Sequence, residues 1–212
     1  MATSGTTTFD LDIDDIIEEA YERCAVRTNS GRDLKSARRS LNILFSEWSN
    51  RGVHLWKVAL QTQELTSGTA TYTPSNTNDI LEAYISSSSG TTSSTSDISL
   101  TKISRSDYAS KNNKGATGQP SEYYVDRQTT PTITLYQTPD ASTYTHLKYY
   151  FMERIEDAGA YTNQADIAFR FIPCMVAGLA YYLSMKVNPR ITQQNKMIYE
   201  DELKRALDED NQ

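Results

Sequence analysis

The residues that most often carry acid–base or metal chemistry are scarce in this chain of 212 residues. Its two histidines, His54 and His146, fall in different predicted elements, and a metal site or a histidine-based triad would have to use them. Neither paired-cysteine motifs nor glycine-rich phosphate-binding motifs occur in the sequence. The sequence therefore predicts a protein that is not an enzyme, with no catalytic residue, no cofactor and no metal site.

Acidic residues, which can act as acids, bases or metal ligands, are abundant, with 27 Asp and Glu against 21 Lys and Arg. The segment DLDIDD at residues 10–15 lacks the glycine and the final glutamate of an EF-hand loop. A hydrolase with a buried carboxylate pair stays open as a hypothesis, although no spacing favours a particular pair. The net charge of −6 argues against a protein whose whole surface binds nucleic-acid phosphates.

One local basic cluster is a candidate for nucleic-acid contact, but the favoured interpretation is an ordinary charged helix face and loop. An alternative is that Arg38 or Arg39 forms ion pairs across a subunit boundary. The cluster comprises Lys35, Arg38, Arg39, Lys111 and Lys114.

Four segments carry apolar residues at helical spacing, two near each end of the chain. They are residues 10–26, a segment between the N-cap Ser30 and the stop signal Gly52, residues 172–187 and residues 190–208. The 172–187 helix is apolar nearly all round, which predicts the buried centre of a bundle. Gly178 in that helix would let a partner helix approach closely.

Between these helical ends the apolar residues alternate with a period of two, which predicts strands. The predicted strands are 56–61, 69–73, 80–85, 122–127, 132–137 and 145–152, the last two forming a hairpin. Two polar segments, the Ser/Thr-rich loop 86–97 and the loop Ser110–Pro120, are expected to be mobile or functional. The Ser/Thr-rich loop has nothing to bury.

The order of these elements predicts the fold class α+β. The simplest architecture is a helical bundle of about four helices drawn from both chain ends, with an antiparallel β domain inserted between them. The predicted bounds are residues 1–53 and 159–212 for the bundle and residues 54–158 for the β domain.

The cysteines and the apolar runs predict the compartment in which the protein folds. Cys24 and Cys174 fall in apolar helical patterns, which predicts two buried thiols in a reducing compartment. The N-terminal residues lack the basic and apolar regions of a signal peptide. The longest apolar run, Phe171–Met185, is too short to span a bilayer. We therefore expect assembly in a cytoplasm and no membrane contact.

Composition also predicts contacts with other protein chains. The chain has 14 tyrosines against 5 phenylalanines, and tyrosine is enriched at protein interfaces. Ile43 is an apolar residue on the far face of the second helix. The last helix closes with three acids at residues 208–210, which oppose its dipole. That end is expected either to fray or to be held by a partner.

Six sequence blocks carry a family resemblance as a set, although none is a chemical motif. They are AYERCAVR (20–27), SARRSLNILFSEWSNRGVHLWKV (36–58), TKISRSDYAS (101–110), PSEYYVDRQTTPTITLYQTPD (120–140), LKYYFMERIEDAGAYTNQADIAFRFIPCMVAGLAYYLSMK (147–186) and YEDELKRALDED (199–210). With these blocks the chain resembles the head-to-tail adaptor proteins of short-tailed double-stranded DNA bacteriophages, the podoviruses. This group includes the tail tubular protein A type. The resemblance covers nearly the whole chain.

The resemblance implies a structural virion protein of the tail neck, assembled in the host cytoplasm. Such adaptors form a ring of about twelve copies, joining the portal to the tail nozzle or tube. A tail fibre is a further expected partner. Genomic DNA would pass through the lumen without sequence-specific binding and without catalysis or a cofactor.

The same resemblance suggests two sets of contact residues. A ring needs two different faces of each copy, for which the candidates are Arg39, Ile43, Tyr123, Tyr124 and Tyr149. The C-terminal segment is expected to reach the portal through Tyr199, Leu203, Leu207, Asp208, Glu209 and Asp210.

A carbohydrate- or receptor-binding tail module is the alternative function. It would use the tyrosines and the Ser/Thr-rich loop. The flanking helices argue against this alternative, because receptor-binding tips are usually all-β.

Overall fold

The computed structural model describes residues 5, 11–27, 31–51, 57–90 and 96–210. Within these ranges the fold is α+β, as the sequence predicts. The helices are α1 (Ile13–Arg23), α2 (Gly31–Arg51), α3 (Arg105–Ser110), α4 (Ile172–Val187) and α5 (Thr192–Asp210). The strands are β1 (Val58–Glu64), β2 (Thr71–Tyr72), β3 (Thr77–Ser86), β4 (Asp97–Ser99), β5 (Thr101–Ile103), β6 (Thr117–Gly118), β7 (Glu122–Asp126), β8 (Thr132–Tyr136), β9 (Thr138–Pro139) and β10 (His146–Glu153).

The chain divides into two compact units. One comprises Met1–Trp56 together with Ile155–Gln212, and the other comprises Lys57–Arg154. The first contains α1, α2, α4 and α5 and is called the helical unit below. The second contains α3 and the strands and is called the β unit. The sequence prediction set the ends of the inserted segment at 54 and 158, a few residues outside those of the β unit.

The helical unit is built around α4, which contacts α1, α2 and α5. Every residue from Cys174 to Ala180 is buried, and seven consecutive buried residues cover all sides of a helix. At Gly178 an added Cβ would lie 2.9 Å from both methyl carbons of Leu44 and from Cε2 of Tyr199. α2 and α5 therefore both approach the backbone of α4 at this glycine.

The ends of α1 are fixed by backbone hydrogen bonds rather than by side-chain caps. The Ile13 N–H donates to the Asn163 carbonyl and the Asp14 N–H to the Tyr161 carbonyl, each at 3.0 Å. At the other end Ala25 has φ 56, and the Val26 N–H reaches back to the Tyr21 carbonyl. This left-handed C-terminal turn ends α1 at Arg23, short of the predicted 26.

The observed ends of α4 and α5 lie close to the predicted ends. α4 has the predicted bounds, and α5 begins two residues later than predicted because Pro189–Ile191 form a 3-10 turn. α5 stays helical to Asp210, so its acidic end is part of the helix. The predicted cap Ser30 and stop Gly52 of α2 lie outside the described residues.

The β unit contains two four-stranded sheets, in the orders β1-β10-β3-β4 and β2-β8-β7-β5, and the short pair β6-β9. Most pairs are antiparallel, while β5–β7 and β6–β9 are parallel. The inner residues of the two large sheets form one apolar core. That core includes Ile80, Ala83, Ile85, Tyr123, Val125, Ile133, Leu135, Leu147, Tyr149 and Phe151.

The predicted hairpin between the last two long strands is wrong. β8 pairs with β7 and β2, whereas β10 pairs with β1 and β3 in the other sheet. Leu135 of β8 and Leu147 of β10 belong to the same apolar core, so the two strands contribute to it from different sheets. The chain between them adds the short strand β9, which pairs with β6.

The base of the Ser/Thr-rich loop is ordered by a buried cation. Lys148 is only 3% exposed, and its Nζ donates to the Gly90 carbonyl at 2.6 Å and lies 3.3 Å from the Asp97 carboxylate. The Ser87 N–H also donates to the Ser96 carbonyl at 3.1 Å. The expectation that this segment has nothing to bury is therefore corrected at its base, while residues 91–95 lie outside the described residues.

The close approach at Gly178 generates the first prediction. Gly178→Val should lower the free energy of unfolding by about 1–3 kcal/mol, because the added side chain would collide with Leu44 and Tyr199, which are both fully buried. Urea denaturation measures this change. Gly115→Val is the control, since nothing lies within 4 Å of a Cβ at that exposed position. Equal effects at the two positions would contradict the packing described for α4.

Neighbouring positions on α5 give a second comparison. Leu203 is buried in the core of the helical unit, whereas Lys204 is exposed. Leu203→Asp should destabilise the fold by about 3–5 kcal/mol, because it removes a buried side chain and places a charge there. Lys204→Asp should change stability by less than about 0.5 kcal/mol. If thermal unfolding shows similar losses of stability for both variants, α5 does not pack through the side that carries Leu203.

Candidate interaction surfaces

The described residues give little support to a reactive centre. His146 Nδ1 lies 2.8 Å from the hydroxyl of its neighbour Thr145, and His54 is outside the described residues. In the part of the chain that the structure describes, one group could hold a metal ion: the side chains of Asp12, Asp14 and Asp15, whose oxygens lie within 4.8 Å of one another. These acids sit at the start of α1, where negative charge favours the helix dipole, so they have a structural role without a metal.

Both cysteines are free thiols, and the prediction that they are buried is confirmed. The thiol of Cys24 donates to the Ala180 carbonyl at 3.3 Å, so it joins α1 to α4. Burial raises the pKa of Cys24 to about 11 and that of Cys174 to about 12. Neither thiol is suited to act as a nucleophile at neutral pH. Across the described part of the chain, no helix has the length and apolar character needed to cross a bilayer.

Three members of the predicted basic cluster are engaged within their own unit. Arg38 donates to the Gly159 carbonyl at 3.0 Å and lies over the Tyr161 ring. Lys111 pairs with Glu122 at 2.6 Å, and Lys114 donates to the Ala109 carbonyl at 2.9 Å. These contacts support the interpretation as an ordinary charged surface. Lys35 and Arg39 remain exposed on α2.

Lys111 and Lys114 belong to a segment that covers the outer face of the second sheet. α3 begins with a capping box between Ser104 and Asp107, and its Tyr108 stacks on Tyr124 of β7 with ring centres 5.6 Å apart. Lys114 lies over the Tyr108 ring. The polar loop Ser110–Pro120 is therefore held against the sheet at this end by aromatic and ionic contacts.

The structure separates the predicted subunit-contact residues into exposed and buried groups. Ile43 is 55% exposed, Arg39 is exposed, and Tyr124 is half-buried beneath α3. Tyr123 and Tyr149 are buried in the core of the β unit, where burial raises the pKa of each to about 12. The prediction is corrected at these two tyrosines, because they have almost no surface to offer a neighbouring copy.

The predicted portal-contact residues on α5 also fall into a buried group and an exposed group. Tyr199 and Leu203 are buried in the helical unit, so they hold α5 to its own chain and are corrected as contact residues. Leu207 is half-buried against the same core. Asp208 and Glu209 are exposed, and the side chain of Asp210 lies outside the described residues. The exposed part of this candidate surface is therefore its acidic end.

Tyr199 is the centre of a buried polar network that the sequence does not predict. The Trp48 indole N–H donates to the Tyr199 hydroxyl at 3.0 Å, and that hydroxyl donates to a Glu47 carboxylate oxygen at 3.2 Å. The Tyr182 hydroxyl donates to the same oxygen at 3.1 Å. Burial, with the nearby Glu47 carboxylate, raises the pKa of Tyr182 to about 12. The network joins α2, α4 and α5 through neutral tyrosines.

Arg51 extends this network to the surface. Its two terminal nitrogens each bind one oxygen of Glu200 at 3.0 Å, and one of them also lies 2.6 Å from Glu47. The guanidinium also sits over the Tyr199 ring. The hydrogen bond from Arg51 lowers the pKa of Glu200. This paired arrangement fixes the last turn of α2 against the middle of α5.

A surface pocket of about 160 Å³ lies between α1, α4 and α5. It is lined by Arg23, Ala177, Ala180, Gln194, Asn195 and Ile198. Next to Ile198, which is 43% exposed, Met197 is 65% exposed on α5. The sequence signal for this surface was weak, since the last helix shows only a narrow apolar stripe and both residues lie outside it.

The chain matches the model of a known protein family over nearly its whole length. The family model described as SU10 adaptor protein matches residues 7–212. The chain belongs to the SU10 adaptor protein family. The match spans both helical ends and the β segment between them, so it covers both units. A search of curated proteins gave no match. This family assignment makes the protein a phage adaptor and a component of the virion that contacts other phage structural proteins.

The Arg51–Glu200 pair generates a pH-dependent prediction. Because the pKa of Glu200 is lower in the folded chain than its ordinary 4.5, the pair stabilises the fold above pH 4.5. That contribution is lost as the pH falls through the folded pKa. Glu200→Gln should therefore lower stability at pH 7, by about 0.5–1 kcal/mol for a half-exposed pair. The difference from the wild type should shrink in acid.

Urea denaturation of both proteins from pH 7 down to about pH 3 measures this effect, because the contribution is lost below pH 4.5. Glu18→Gln, at an exposed position on α1, controls for the loss of one charge. A Glu200→Gln deficit that stays constant over the whole pH range would show that the carboxylate does not act through its charge.

Proposed function

We propose that this chain is a head-to-tail adaptor whose copies form a closed ring between the portal and the tail nozzle or tube. The observation that carries the proposal is the family match over residues 7–212. The role is structural: each copy supplies surfaces, and the genome passes through the lumen of the ring. The sequence resemblance to podovirus adaptors supports the same role.

The acidic end of α5 supports a contact with the portal. α5 is helical to Asp210, and its described last turn carries acids and no basic residue. The partial negative charge of a helix C-terminus and these carboxylates repel each other within the free chain. A portal surface with cationic side chains or free N–H donors would relieve this repulsion. We place the portal contact at Asp208, Glu209 and Asp210, with Leu207 beside them.

The exposed residues on α2 support contacts between copies. A closed ring is built from a heterologous interface, in which one face of a copy meets a different face of the next. Arg39 and Ile43 are exposed on the helical unit, so they suit such a contact. The net charge of −6 per chain suits a lumen that repels DNA phosphates, so that the genome slides rather than binds.

Native mass spectrometry of the purified protein, alone and mixed with the portal protein of the same phage, tests this proposal. The expected result is a closed complex with about twelve adaptor copies on the portal. The free protein can be a monomer or a ring under the same proposal. A chain that stays monomeric and does not bind the portal would overturn it.

Charge reversal at the end of α5 gives a sharper prediction. Asp208→Lys/Glu209→Lys should weaken portal binding by about tenfold or more, because it removes the acidic contact. The same change should raise the stability of the free chain by about 0.3–1 kcal/mol, because cations favour a helix C-terminus. Pull-down titration and thermal unfolding measure the two effects.

Glu156→Lys/Asp157→Lys is the matched control for this variant. It changes the net charge equally at two adjacent exposed positions of the same unit. Equal loss of portal binding in both variants would show a nonspecific charge effect and would remove the α5 end from the proposed contact.

A further inference from the structure

The outer face of α2 carries two cations that form no ion pair within the described part of the chain. Lys35, Arg39 and Ile43 are exposed and recur every four residues, so they share one side of the helix. By contrast, Lys111 and Arg51 pair with acids of their own units. The row formed by Lys35, Arg39 and Ile43, called the α2 face below, is therefore a positively charged surface with one apolar side chain.

The outer face of α1 has the opposite charge. Asp15, Glu18 and Glu22 are exposed, and none of them forms an ion pair with a residue that the structure describes. Their neighbour Glu19 is paired with Arg23 at 2.8 Å. Glu18 and Glu22, called the α1 face below, are four residues apart, which is the spacing of the two cations on the α2 face.

α1 and α2 pack on different sides of α4. α2 contacts α4 at Gly178 and Tyr182, which are four residues apart and so share one side of α4. α1 contacts α4 at Ala180, whose carbonyl accepts the Cys24 thiol and which lines a pocket with Arg23. Ala180 is two residues from both α2 contacts, which is about 200° around the helix axis. The α1 and α2 faces of one copy can therefore meet two different neighbours.

We propose that neighbouring copies in the adaptor ring meet through the α2 face of one copy and the α1 face of the next, with the two helices antiparallel. Arg39 then pairs with Glu18 and Lys35 with Glu22, because both pairs of positions are about 6 Å apart along their helices. The two faces differ, so the contact is heterologous and repeats from copy to copy, as a closed ring requires. The inference rests on the proposed ring function and names the contact that builds the ring.

The antiparallel direction follows from the positions of two exposed apolar residues. On α2, Ile43 is 55% exposed and follows the two cations along the chain. On the other side of the contact, Leu11 is 38% exposed and precedes the acids of α1. Only antiparallel helices bring these apolar residues to the same end while the cations face the acids. Two copies of the same face would repel each other, so the charges favour the contact between unlike faces.

Charge reversal followed by a charge swap tests this contact in the complex with the portal. Lys35→Glu/Arg39→Glu reverses the α2 face, and Glu18→Lys/Glu22→Lys reverses the α1 face. Each should raise the protein concentration needed for a closed ring by about tenfold or more, because like charges then meet at every contact. A chain with all four substitutions should form rings within about threefold of the wild-type concentration, because its reversed faces pair with each other. Native mass spectrometry over a concentration series measures ring formation.

The matched control replaces the α1 substitutions by Glu156→Lys/Asp157→Lys. These two acids are exposed on the same unit, and their reversal changes the net charge of the chain as much as reversal of the α1 face does. Combined with the reversed α2 face, the control has the same net charge as the charge swap. It should not restore the rings, because the reversed α2 face still meets an α1 face of the same sign.

Thermal unfolding of the free variants shows whether each one folds. If a charge reversal unfolds the chain, Lys35→Gln/Arg39→Gln and Glu18→Gln/Glu22→Gln take its place. Neutralising both faces should then weaken ring formation no more than neutralising one face does, because the two faces act as one contact. Losses that add up would show that the two faces act independently and would overturn the inference.

The outcomes distinguish the contact from the ring itself. Rings restored by the charge swap and not by the control support the inference. Folded reversals that leave ring formation unchanged, a swap that restores nothing, or equal restoration by the control each overturn it and leave the adaptor proposal intact. A wild-type protein that forms no complex with the portal overturns both.

Discussion

The burial of α4 on all sides is the constraint on which the rest of the helical unit depends. A helix with seven consecutive buried residues, Cys174–Ala180, is stable in water only inside a shell of other helices. The chain that follows α4 supplies α5, while α1 and α2 come from the opposite end of the sequence. The contacts of α4 with α1 and α2 therefore join residues more than a hundred positions apart, and the β unit is the segment between them.

Apolar contacts enclose α4, and polar contacts fix how its neighbours are aligned. At Gly178 the helices approach as closely as a missing Cβ allows. One side of that approach is Tyr199, whose hydroxyl binds both Trp48 and Glu47. Hydrogen bonds are directional and apolar contacts are not, so the tyrosine sets the position of α5 along α2. A helical unit held this firmly is suited to present surface residues such as Ile43 and Asp208 in fixed positions.

The sequence predicted the features that depend on local periodicity. The bounds of α4, the role of Gly178 and the exposure of Ile43 all follow from a 3.6-residue repeat within one segment. Strand pairing failed for β8 and β10, because two alternating strands joined by a short loop can pair with each other or lie in opposite sheets. Tyrosine composition predicts contact residues but cannot distinguish an outer face from a core face, so the prediction fails at the buried Tyr123 and Tyr149. The pocket could not be predicted, since it is formed by three helices that only the tertiary fold brings together.

The chain enters and leaves the β unit through two neighbouring strands. β1 and β10, which carry the chain in and out, are hydrogen-bonded neighbours with Val58 opposite Met152. Lys57, which precedes β1, is paired with Glu153, the last residue of β10, at 3.4 Å. The two ends of the inserted segment thus lie side by side, held by this strand pair. A change of length in the loops of residues 57–154 would therefore leave the distance between the two ends of the segment unchanged, because that distance is set by the pairing of β1 with β10.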